Sequence, residues 1–160
     1  MIRGVFLALT ISTLISCDSN LFYSEYRSLE EPWNPDEALH FNLPEADSTA
    51  LYNIFINLRN TNEYPFSNLF LIADIHFPNG KIITDTLEYE MARPDGSWLG
   101  KGQNVKDNKL WYKENIQFFE PGSYAIEIKH AMRQINQVEG VSLKGVTDVG
   151  ISVEIAEPNQ

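Results

Sequence analysis

Few residues in this chain have the types and spacing that chemistry requires. Gly96-Ser97-Trp98-Leu99-Gly100-Lys101-Gly102 carries a Gly-Lys pair of the kind that cradles phosphates. A phosphate loop needs four residues between its glycines and a Ser or Thr after the lysine. Here three intervene and Gly102 follows, so nucleotide binding is not expected. His40, His76 and His130 each stand alone in a strand-like stretch, without His-x-His or His-Glu-x-x-His spacing. Lone strand histidines of this kind are more often structural partners than metal ligands. Asp85, Glu88 and Glu90 could suggest paired carboxylates, but at period two Glu88 and Glu90 share a face while Asp85 points away. A solvated outer sheet face is the plainer reading. Asp95, Asp107 and Asn108 are loop oxygens of the type that calcium takes, but no Asp-x-Asp-x-Asp-Gly loop holds them. Ser142 lacks the Gly-x-Ser-x-Gly elbow of a nucleophile. The residues therefore predict no catalytic set, no metal and no cofactor.

Composition narrows the class further. The 160 residues carry 22 Asp and Glu against 12 Lys and Arg, a net charge of −10. That balance excludes nucleic acid as a partner, because such binders show a basic footprint. With one cysteine the chain can form no internal disulfide and no multi-Cys metal site. That cysteine ends the most informative segment. Arg3 precedes an apolar run from Val5 to Ile15, then Ser16 and Cys17. The run is too short for a spanning helix, which needs roughly 17–25 residues, and fits a secretory signal. Leu14-Ile15-Ser16-Cys17 resembles the bacterial lipobox, in which the cysteine thiol takes a diacylglyceryl group and cleavage falls just before it. Residues 1–16 are thus expected to be a lipoprotein signal peptide and Cys17 the lipidated N-terminus, anchoring the chain to a membrane. Residues 17–36, with Pro32 and Pro35, read as a tether whose Phe22, Tyr23, Tyr26 and Trp33 clamp partly against the domain.

Residues 37–157 read as a single all-β domain. Leu39, Phe41 and Leu43 alternate with polar neighbours, as do Tyr52, Ile54, Ile56 and Leu58. The nearly unbroken apolar run from Asn68 to Phe77 predicts a strand buried on both faces. Pro78-Asn79-Gly80 is turn chemistry, so Asn68–Ala92 reads as a hairpin. Arg93 to Lys109 reads as loop. Alternation resumes over Trp111–Phe119, over Tyr124, Ile126, Ile128 and His130, and over Val149, Ile151, Val153 and Ile155. Seven or eight strands without helical periodicity predict a β-sandwich or jelly roll of antiparallel sheets.

The stretch Pro94–Gly102 is the candidate contact surface. Trp98, with Tyr89, Trp111 and Tyr112 nearby, sets aromatic area on a glycine-rich backbone, which suits a partner protein or a sugar ring. The competing reading is that Trp98 tucks back to cap one open end of the sandwich, with Gly100 and Gly102 supplying the backbone freedom.

Several long strings carry a resemblance. They are Tyr52-Asn53-Ile54-Phe55-Ile56-Asn57-Leu58-Arg59-Asn60, Tyr64-Pro65-Phe66-Ser67-Asn68-Leu69 and Asp85-Thr86-Leu87-Glu88-Tyr89. To these add Pro94-Asp95-Gly96-Ser97-Trp98-Leu99-Gly100-Lys101-Gly102, His130-Ala131-Met132-Arg133 and Gly145-Val146-Thr147-Asp148-Val149-Gly150. Together they resemble the gliding motility lipoprotein GldH family of Bacteroidota, from the lipobox to about Glu154. The resemblance implies a non-enzymatic cell-envelope lipoprotein, periplasm-facing or at the outer membrane, working beside the type IX secretion apparatus. Its partners would be other envelope or motility lipoproteins. A lipid-anchored module that binds glycan is the alternative.

Overall fold

The computed structural model describes residues 20–30, 32–133 and 139–157; the expected signal peptide and lipidation site, residues 1–16 and Cys17, lie outside the described residues. Among the described residues eight strands follow in order: β1 (Leu21–Ser28), β2 (Leu39–Asn42), β3 (Tyr52–Thr61), β4 (Asn68–His76), β5 (Ile82–Glu90), β6 (Val105–Ile116), β7 (Ala125–His130) and β8 (Val146–Ile155). They form two four-stranded sheets, β1-β8-β3-β6 and β2-β7-β4-β5, with every pairing antiparallel. Pairing is nested: β1 with β8, β2 with β7, β3 with β6 and β4 with β5. Only β4 and β5 join as a hairpin within one sheet, and every other connection crosses between sheets. This is the jelly-roll order, a long hairpin ribbon wrapped into a sandwich.

The core sits between the sheets and follows from period-two alternation. Ile54, Ile56 and Leu58 of β3 and Val149, Ile151 and Val153 of β8 face Phe41, Leu69, Leu71, Ala73, Ile126 and Ile128 of the other sheet, all fully buried.

Three local expectations need correction. Residues 21–28 are not tether: they hydrogen-bond to β8 from Leu21↔Glu154 to Ser28↔Asp148, so the domain begins at β1 rather than near residue 37. Trp33, further along the same segment, is fully buried, donates through Nε1 to the Glu37 carbonyl at 3.1 Å and meets His130 edge-on at 4.9 Å. The stretch Arg93–Lys109 is not loop throughout, because β6 begins at Val105 and pairs with Thr61. β4 is buried on one face only; its outward Phe70 and Ile72 are half-buried, because no third layer among the described residues covers that sheet.

Candidate functional site

The Pro94–Gly102 stretch is an ordered bend built on the ends of β5 and β6. Arg93 N–H donates to the Ser97 carbonyl at 2.8 Å, and Leu99 N–H to that of Met91 at 2.9 Å. The Asp95 carboxylate accepts from the Ser97 backbone N–H and hydroxyl at 2.9 and 2.7 Å, which holds its pKa below the usual carboxylate range. Gly102 has φ +128°, and a Cβ there would lie 2.0 Å from the Val105 carbonyl oxygen. Only glycine fits that close approach. Trp98 is half-buried, pairs across an isolated bridge with Ala92 and meets Tyr64 edge-on at 6.1 Å. Tyr64 is itself buried, donates to the Asn68 carbonyl at 2.7 Å, and has its phenol pushed up by desolvation.

The other two predicted residues lie elsewhere. Tyr89 points inward from β5, and its hydroxyl donates to the Trp111 carbonyl at 2.7 Å, tying the two edge strands across the mouth of the sandwich. Burial pushes its phenol up to about 12. Trp111 points outward from β6, 56% exposed, with its ring in tilted contact with Phe55 of β3, centroids 4.3 Å apart and planes at 51°. Trp98 and Trp111 thus engage different neighbours rather than one shared platform.

Below that tie, register slips between Ile54↔Lys113 and Phe55↔Trp111, leaving Tyr112 as the extra residue of a β-bulge. The bulge turns both Tyr112 and Lys113 toward Asp85 of β5. Tyr112 donates to the Asp85 carboxylate at 3.0 Å and Lys113 pairs with it at 2.8 Å. Desolvation, then the Asp85 charge, pushes the Tyr112 phenol upward. Asp85 therefore holds two sheets together. The parity expected of the carboxylates is observed, with Glu88 outward and accepting from Asn68 at 3.0 Å.

The open outer face of the β1-β8-β3-β6 sheet presents a grid. One row runs Tyr26, Gly150, Asn57, Lys109; the next runs Ser24, Ser152, Phe55, Trp111. Gly150 has no side chain because the Tyr26 ring lies over it, 2.8 Å from where a Cβ would sit. The Arg59 guanidinium stands 4.7 Å over the same ring and donates to Asp107 at 2.7 Å. Asn57, buried, donates to the Ser152 hydroxyl at 2.9 Å. The Lys109 amine sits 4.1 Å over the Phe55 ring and pairs with Glu154. Between Tyr26 and the Leu99–Lys101 backbone lies an open groove of about 600 Å³, floored by Asn57, Arg59, Asp107 and Lys109. The sequence offers no functional role for Phe55 or Arg59 and only a clamping role for Tyr26, although Phe55 stands out as an apolar residue on the polar parity of β3.

The histidines separate. His130 is buried, its Nε2 3.1 Å from the Trp33 carbonyl, and burial lowers its pKa. His40 and His76 flank Glu127 on the opposite outer face, at 3.2 and 3.9 Å. Among the described residues no group of three or more His, Cys, Asp or Glu could hold a metal ion. Asp95 is taken up by its own turn, Asp107 by Arg59, and Asn108 is buried against the Leu58 carbonyl, so the three do not form a calcium loop.

Comparison with known proteins decides the family. The model of the GldH lipoprotein family matches residues 21–153, nearly all of the sandwich. The chain belongs to the GldH lipoprotein family. It is 51% identical over 147 residues to the gliding motility lipoprotein GldH homolog of Christiangramia forsetii, covering 91% of this chain and 90% of that protein. It is 46% identical over 150 residues to the gliding motility lipoprotein GldH of Flavobacterium johnsoniae, covering 92% and 93%. A GldH-type protein is a lipid-anchored envelope lipoprotein, and the chain is one of that type. Among solved structures, that of the Gx strain of infectious bursal disease virus matches at 16% identity and a TM-score of 0.38, covering 95% of this chain and 37% of that one.

Proposed function

We propose that this GldH-type lipoprotein is a non-enzymatic accessory component of the gliding and type IX secretion apparatus, working through contacts with other envelope or motility lipoproteins. One observation supports the contact reading above the others: Trp111, 56% exposed on an edge strand and braced by a tilted ring contact with Phe55. An indole on a rigid sheet contributes large contact area at little conformational cost, and such residues dominate interface energetics. A sheet supplies that rigidity better than the Pro94–Gly102 bend, where Trp98 is already half used by Tyr64. The glycan reading stands second. Its groove contains one aromatic, Tyr26, and Arg59 already occupies a face of that ring, so a sugar would have to displace the guanidinium to stack there. The test is capture of partners from detergent-solubilised envelopes by wild type and by Trp111→Ala. Loss of a specific envelope protein with the fold intact supports the proposal. Retention of every partner removes Trp111 from it.

A further inference from the structure

Of the nine exposed large apolar side chains among the described residues, five lie at one end of the sandwich. Leu21 opens β1, Leu51 immediately precedes β3, Ile82 opens β5 and Ile155 closes β8. Phe119, 63% exposed, lies in the β6–β7 connection. Register brings these positions together: Tyr52 pairs with both Ile116 and Ile155, and His76 with both Ile82 and Ala125. Between the sheets at this end, Phe77, Ile83, Ile116, Phe118 and Phe119 line an open apolar hollow of about 410 Å³. The opposite end carries the Pro94–Gly102 bend and no comparable cluster among the described residues.

The same end receives the chain from Cys17. Asn20 is fixed there, its carbonyl accepting from Ile155 at 2.8 Å and its side chain donating to Glu157 at 2.9 Å. Three peptide steps from Cys17 to Asn20 span at most about 11 Å. An acyl chain on Cys17 must sit in the hydrocarbon, so whatever surrounds Asn20 is held within roughly that distance of the headgroups.

We infer that this end of the sandwich, with Phe119 and Ile82 foremost, docks on the lipid surface itself. The inference rests on the reading of Cys17 as the lipidated residue. Apolar side chains placed at the headgroup boundary by a short anchor bury area that water would otherwise cover. Lys81, whose amine stands 5.2 Å over the Phe77 ring, is set to meet a phosphate there. Asp47, Glu120 and Glu157 share this end, so docking draws on apolar contact and tether length rather than on attraction to anionic lipid. The sandwich then stands on end, and the ten residues of β3 hold the Trp98 bend about 30 Å above the surface.

The test uses the full acylated protein in phosphatidylcholine vesicles. Cys17 is the only cysteine, so its acylation leaves wild type without a free thiol, and an introduced cysteine becomes a unique label site. A free thiol in wild type overturns the lipidation reading beneath the inference. With that thiol absent, Phe119→Cys and Ser97→Cys, both at exposed positions, are labelled with an environment-sensitive fluorophore. Nitroxide-bearing lipid should quench more than half of the emission at 119 and leave that at 97 unchanged. Equal, weak quenching at the two sites overturns docking while the anchor stands. Blue-shifted but unquenched emission at 119 would mean that the hollow is filled from elsewhere, such as by the protein's own acyl chain, and overturns it as well.

Discussion

The three tryptophans occupy three depths, and truncating each in turn tests the packing described above. Trp33 is fully buried, so Trp33→Ala loses a whole aromatic transfer and leaves a cavity, a cost of about 3–5 kcal/mol. It also strands the Glu37 carbonyl and removes the edge contact with His130, which places the effect at the upper end, near 5 kcal/mol. Trp98 is half-buried on Tyr64, so its truncation should cost roughly half as much, about 2 kcal/mol. Trp111 is more than half exposed and loses little beyond its tilted ring contact with Phe55, about 1 kcal/mol. With a urea slope of about 2 kcal/mol/M, the midpoints should fall by about 2.5, 1 and 0.5 M in that order. Urea titration followed by far-ultraviolet circular dichroism reads all three. Trp33→Phe keeps most of the buried area without the N–H, and covers the case in which Trp33→Ala does not fold. A Trp33 variant no weaker than the Trp98 variant would refute the claim that Trp33 is packed into the core.

Acidification should weaken the protein through His130, whose burial holds its folded pKa below the unfolded value of about 6.5. The unfolded chain takes the proton first, so this contribution is complete above pH 6.5 and is lost as pH falls below it; urea midpoints of wild type and His130→Gln between pH 7 and 5.5 should converge. Asp85→Ala should lower stability by about 1–3 kcal/mol, because Tyr112 and Lys113 lose their shared acceptor between the sheets; an unchanged melting temperature would show that solvent already serves them. Gly102→Ala should cost about 1–3 kcal/mol in the same measurement, since its φ is positive and the Val105 carbonyl occupies the space.

The strands legible in the sequence are those whose inward positions are mostly apolar: β2, β3 and β8 show it, as do the β4–β5 hairpin apart from Asp85 and β7 apart from His130. β1 was hidden because it is an edge strand, where the inward face meets the rim. There Glu25 and Arg27 pair with each other at 2.6 Å, and Arg27 covers Phe41 instead of an apolar residue doing so. The first half of β6 was hidden for a similar reason. Its inward positions are Lys106 and Asn108, and Asn108 is satisfied by the Leu58 carbonyl and Asn60 Oδ1, bonds that only the folded register creates. The outer-face site was legible only in part. Aromatic content marks Trp111, and also Tyr89, which faces inward instead, but nothing local to Trp111 indicates the bulge at Tyr112 or the ring contact with Phe55.

The nested pairing has a consequence for how the chain reaches this structure. β1 has no strand partner other than β8, across more than a hundred intervening residues, and β2 likewise waits for β7. The only pairing available early is the central β4–β5 hairpin, from which the ribbon can lengthen outward in both directions. Closing such distant pairs is slow, because the loop entropy must be overcome before the contacts form. A chain that crosses a membrane N-terminus first therefore emerges with its first strand unpaired, and that edge stays open until the last strand has come through. The interval leaves Leu21-Phe22-Tyr23 exposed beside the anchor point, which makes this segment the natural place for a holding chaperone to act.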